Sequence, residues 1–294
     1  MQPSAHKIRT LAISILLFSV VFTLPCQAQD MPSTQIWLLP LVEDQPGEPS
    51  RISQESGYNN QPHFSPDSKI IYFTAEQEGG QTDVWQYEIS SGALTAVNHS
   101  PESEYSPTPI SGQNAVSVVR VETDQRQRLW RIDLANGEAS LLMPNVEPVG
   151  YHAWIDDRTA VLFILGESMT LHRGEIGDKA SVQLADNIGR TLRRHPSTGE
   201  AIYVDKNLKP WRIAAFNFDS GASRQIMPLF PGIEDFDLDS RGRFWAGSGS
   251  KIYRSNVENT RWNMLVDLKD YRLKNISRLA VSPDGNWLAI VVSP

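Results

Sequence analysis

The stretch that decides the fold runs from Gly57 to Ala75, GYNNQPHFSPDSKIIYFTA. It joins a short extended piece, Gln61 to Phe64, to a β-branched and aromatic run, Lys69 to Thr74, through the turn Ser65-Pro66-Asp67-Ser68. Proline in such a turn presets φ, and aspartate bonds the backbone just after it. Ile70, Ile71, Tyr72 and Phe73 stand in a row without polar alternation, the pattern of a strand buried on both faces. The same order of pieces returns at Ile276 to Ser293, ISRLAVSPDGNWLAIVVS.

A repeat of about 44 residues fills the interval. First segments fall at Asn60–Phe64, Tyr105–Ile110, Gly150–Ile155, Arg190–His195, Glu234–Leu238 and Ser277–Val281. The apolar second segments are Lys69–Thr74, Ala115–Val121, Thr159–Leu165, Glu200–Val204, Arg243–Gly247 and Asn286–Val292. Third segments carry Trp37, Trp85, Trp130, Leu171, Trp211 and Tyr253, and each leads through a turn to a short fourth segment. Four short strands per unit, with no helical period after residue 33, predict an all-β, six-bladed β-propeller. The set around Trp37 lacks first and second strands, and the set at Ser277 to Ser293 lacks third and fourth ones. The expectation is that the N-terminal strands close the last blade, which would remove two exposed strand edges.

The 294-residue chain carries a net charge of −7. Residues 1–28 read as a secretory signal: Lys7 and Arg9 precede the uncharged run Leu11 to Leu24, and small residues lead to Ala28. This 14-residue uncharged run falls short of the roughly 20 residues that span a bilayer. Loss of Lys7 and Arg9 with that leader takes the charge to −9, and loss of Cys26 removes the only cysteine. The mature chain is then expected to be free of disulfides, periplasmic or secreted, and without a membrane span. Its negative charge disfavours a nucleic-acid partner. Residues 33–294 read as one propeller domain and as a monomer.

The motif from Pro62 to Thr74, with SPDGNWLAIV at Ser282 to Val291, resembles the TolB-like propeller repeats of bacterial periplasmic proteins. The resemblance extends over the mature chain but not to the N-terminal α/β domain that TolB also carries. It implies fold and compartment more than task.

No G-x-S-x-G, H-E-x-x-H, cysteine pair or EF-hand loop occurs, and no residue is assigned a catalytic or metal-binding role. The candidates lie on first strands, which line the centre of a propeller with alternating side chains. One register holds Gln61, Ser106, Tyr151, Thr191, Asp235 and Arg278, and two residues on come His63, Thr108, Ala153, Arg193, Asp237 and Ala280. Between them, Pro62, Pro107, His152, Leu192, Phe236 and Leu279 are expected to pack between blades. Asn60, Tyr105, Arg190, Glu234 and Ser277 would sit at a mouth. The acidic run Glu234 to Asp239 reads either as solvated and paired with Arg241 and Arg243, or as one wall of a funnel facing the arginines of blade four.

The candidate ligand-binding residues are therefore Asn60, Gln61, His63, Tyr105, Tyr151, Arg190, Arg193, Glu234, Asp235, Asp237 and Arg278. The expected function is an exported, non-catalytic propeller that binds an envelope protein or peptide, with no cofactor. The alternative resembles the gluconolactonase-like propellers, a hydrolase holding a divalent cation in the channel through Glu104, Asp235, Asp237 and Asn60.

Overall fold

The computed structural model describes residues 31–293 except Glu55 and Val257. The leader expected at residues 1–28 lies outside the described residues. Among these, no helix is long and apolar enough to cross a membrane.

The run that opened the sequence forms the strand Ile70–Glu76, and alternation along it builds two different seams. Ile71, Phe73 and Ala75 enter one with Ile36, Leu38, Ala289 and Val291. Tyr72 points the opposite way, toward Val84, Val116 and Val118. Every second strand is used like this. In Ala201–Asp205, Ala201 and Tyr203 pack toward the preceding blade and Ile202 and Val204 toward the following one. Each fully buried Ile, Leu or Phe side chain contributes about 1.5–3 kcal/mol.

The result is six antiparallel sheets. Their innermost strands are Asn59–Phe64, Ser103–Pro109, Val149–Trp154, Ile188–Arg194, Asp237–Leu238 and Arg278–Val281, in blades one to six. Six apolar clusters, one for each junction between neighbouring blades, make the ring continuous. The sixth sheet is composite. Gln35–Val42 pairs antiparallel with Trp287–Val292, placing Trp37 opposite Ile290 and Leu39 opposite Leu288. The chain then turns through Glu43 and Asp44, and the Asp44 carboxylate meets Arg241, Arg243 and Arg254 of blade five at 3.0–3.2 Å. A hydrogen bond from Arg243 holds that carboxyl below its usual range.

The two Ser-Pro-Asp turns are near copies. Ser65 Oγ donates to Asp67 at 2.6 Å and accepts the Ile70 N–H at 2.9 Å. Ser282 Oγ donates to Asp284 at 2.6 Å and accepts the Trp287 N–H at 2.9 Å. At the fourth turn position the last blade has Gly285 at φ 74°, whereas the first has Ser68 at φ 62°. A non-glycine residue is disfavoured in that left-handed region. Ser68 is used nonetheless, for its Oγ accepts the Asp284 N–H at 3.1 Å and ties the two turns together.

Blade five departs from expectation. Its inner strand was expected over Glu234–Leu238 but is only Asp237–Leu238. The turn at Gly232, φ 78°, and the use of the acidic side chains as acceptors for neighbouring blades replace ladder pairing over residues 234–236.

Candidate functional site

The inner strands converge on a central cavity of about 40 Å³. All six residues of the predicted inward register line it: Gln61, Ser106, Tyr151, Thr191, Asp235 and Arg278. Pro62, His152, Leu192 and Leu279 reach it too, although they were expected to pack between blades. For Pro62, His152 and Leu192 the reason is local. The inner strands of blades one to four carry register shifts, and Gln61 and Ser106 sit at φ 59° and 54°, which turns adjacent side chains toward the axis.

Side chains from one blade repeatedly accept backbone N–H groups about one repeat away. Gln61 Oε1 accepts from Ser106 N at 2.8 Å, and Glu234 from Arg190 N at 3.2 Å. Asp235 accepts from Leu279 N at 3.1 Å, and Asp237 from Val281 N at 2.7 Å. Asp235 also takes Thr191 Oγ1 at 3.2 Å and Arg278 at 3.5 Å, and Asp237 takes Arg193 Nε at 2.6 Å. Arg278 continues to the Tyr151 hydroxyl at 2.8 Å. The positive and negative walls expected to face each other apart are instead interleaved as ion pairs. Arg241 and Arg243 pair with Asp44 and Asp239 rather than with the whole acidic run, since Glu234 pairs with Lys206 at 2.5 Å.

These bonds bear on the cation reading. Asp235 and Asp237 are engaged by arginines and N–H groups. Asn60 is buried rather than at a mouth, and its Oδ1 accepts the Gln61 N–H at 2.8 Å. Glu104 is fully buried beside Arg120 Nε at 2.9 Å, accepts Ser100 Oγ at 2.6 Å, and is pushed up to about 7 by burial. Among the described residues, no three His, Asp, Glu or Cys side chains converge in a metal-binding group. The oxygen donors that sequence reasoning assembled for a cation are thus not brought together.

Two histidines adjoin the cavity. His63 and His152 are both pushed down to about 3, chiefly by burial, with Arg193 adding to the effect on His63. His152 Nε2 lies 2.6 Å from Ser117 Oγ, which also accepts the Trp154 indole N–H at 2.8 Å. Toward the opposite mouth, Tyr105 packs edge-on to Tyr58, and burial pushes the Tyr58 phenol up to about 12.

On the side of the turns that join first to second strands, the channel widens into a funnel with hollows of about 280 and 420 Å³. Its wall includes Phe64, Pro66, Pro109, Trp154, Pro196 and Pro283. His63, Arg193 and Arg194 belong to the same lining. Of the predicted residues, His63 and Arg193 join funnel to cavity, and Asp237 lines one hollow. The apolar wall was missed. A signal for it exists: Pro66, Pro196 and Pro283 occupy the same turn position in three repeats, so residues that shape turns also surround one mouth.

No family model and no curated protein matches this chain. Solved structures do. A TolB protein from Agrobacterium tumefaciens is 12% identical, with a TM-score of 0.69 over 89% of this chain and 98% of that one. A gluconolactonase from Xanthomonas campestris is 12% identical, with a TM-score of 0.62 over 91% and 99% of the two chains. An oligogalacturonate lyase in complex with manganese is 14% identical, with a TM-score of 0.58 over 84% and 80%. The chain therefore has the TolB-like six-bladed propeller fold, shared at this distance by proteins of different activity.

Proposed function

We infer that this chain is an exported, non-catalytic propeller that binds a protein or peptide partner in the cell envelope through the funnel. The observation that carries the reading is the contrast along one axis: the waist narrows to about 40 Å³ among mostly paired side chains, while the funnel is wider, with prolines around it and Arg194 beside the Arg193–Asp237 pair. Rigid apolar groups give contact area at low entropic cost, and the arginines give orientation. The leader-like sequence at residues 1–28 supports the compartment, as does the likeness to a TolB structure.

The test uses immobilised protein, envelope extract and the double variant Pro66→Asp, Pro196→Asp, whose sites are both exposed. The wild type should retain a discrete partner that the variant loses while keeping its circular-dichroism spectrum. Equal retention by both would overturn the funnel as the docking surface.

A further inference from the structure

Three polar atoms of the central cavity's lining residues are buried without a hydrogen-bond partner among the described residues: Ser106 Oγ, His152 Nδ1 and Arg190 Nε. They come from blades two, three and four. Each such atom carries a desolvation cost, and their occurrence in the lining of one cavity is the pattern of a site awaiting a ligand.

The charges around the cavity indicate its sign. Arg190, Arg193 and Arg278 face it, against Asp235 in the lining and Asp237 beneath Arg193. Lys206 and Glu234 cancel each other. Three guanidinium groups against two carboxylates leave one positive charge. Arg190 pairs with no carboxylate among the described residues; its Nη2 donates to the Ser277 carbonyl at 3.4 Å.

The size is limiting. A water molecule needs about 10–15 Å³ on this measure. At about 40 Å³ the cavity accepts a group of roughly three heavy atoms, the size of a carboxylate. His152 can adapt to it, because Ser117 Oγ can donate either to Nε2 at 2.6 Å or to the Thr108 carbonyl at 3.1 Å. When Ser117 donates to Nε2, Nδ1 carries the proton and becomes a donor toward the cavity.

We propose that the central cavity binds one carboxylate or comparably small oxyanion, held by Arg190, Ser106 and His152 and entered from the funnel past His63 and Arg193. The entry route rests on the partner reading above; the anion site itself does not. The carboxylate has two sources, a free anion or the C-terminus of a bound peptide.

The test is thermal unfolding at constant ionic strength with chloride, formate or inorganic phosphate, and separately with tetra-alanine or its C-terminal amide. Formate, which fits the cavity, should raise the melting temperature above the chloride value, and the larger phosphate should do so less. Tetra-alanine raising it where the amide does not assigns the peptide source; a rise with formate but not with tetra-alanine assigns the free one. Arg190→Met should keep its melting temperature in chloride and weaken anion binding roughly tenfold or more. The exposed control Arg261→Gln should keep the full response. Formate and phosphate indistinguishable from chloride would overturn the proposal and identify a water-filled cavity; so would an undiminished response in Arg190→Met. Because these titrations need no partner, equal partner retention by the wild type and the funnel variant, with the anion response intact, would count against the funnel reading alone.

Discussion

Opposite sides of the channel solve one problem with different chemistry. Between blades one and two, the neutral Gln61 amide accepts the Ser106 N–H and the Thr74 hydroxyl, at 2.8 and 3.0 Å. Between blades five and six, the carboxylates of Asp235 and Asp237 accept the Leu279 and Val281 N–H groups and also neutralise Arg278 and Arg193. Inner strands of adjacent blades do not pair, so their inward N–H groups need acceptors from elsewhere. The neutral solution requires a left-handed residue in each strand, Gln61 and Ser106. The charged one keeps the cations and anions mutually dependent. One side is therefore expected to respond to loss of a charge and the other to loss of an acceptor.

The largest effect should follow from Asp235→Ala. It strips the Leu279 N–H, the Thr191 hydroxyl and Arg278 of a shared acceptor in a buried setting. Removing one partner of a buried pair costs about 3–5 kcal/mol, readable by urea denaturation. Gln61→Ala should cost less, about 1–3 kcal/mol, because two neutral donors lose an acceptor and no charge is stranded. Equal losses would erase the distinction between the two sides.

Acid should act on the side bearing the neutral histidines. His63 and His152 have folded-state values near 3, below the ordinary 6.5. Their contribution is present above about 6.5 and is lost as pH falls toward 3, since the unfolded chain takes up protons first. His63→Gln should lose less melting temperature than the wild type between about pH 7 and about pH 4, and an unchanged difference would remove His63 from the account. The smallest effect belongs to Ser68→Gly, which relieves a φ of 62° but removes the bond to the Asp284 N–H. The two changes nearly cancel, within about 0.5 kcal/mol.

The fold was legible because it repeats. The bulky runs, turn prolines and third-strand aromatics recur at one period, and any single blade could be read from its neighbours. The six-residue ring around the cavity was legible from strand alternation alone. Other features were not. The left-handed kinks at Gln61 and Ser106 carry no glycine to announce them. The bonds one repeat apart join residues that no local pattern associates. Glu104 has the side chain of a channel oxygen donor, yet its carboxylate lies buried beside Arg120 from the same blade. The funnel prolines were read as turn formers, which they are, and their second use appears only once the turns are gathered around one mouth.

The most direct test places a photoreactive residue at either end of the channel, at Ser111 beside the funnel or at Tyr105, beside Tyr58, toward the other mouth. The account predicts a discrete adduct in the cell envelope from position 111 and none from position 105. An adduct from position 105 with none from position 111 would contradict it.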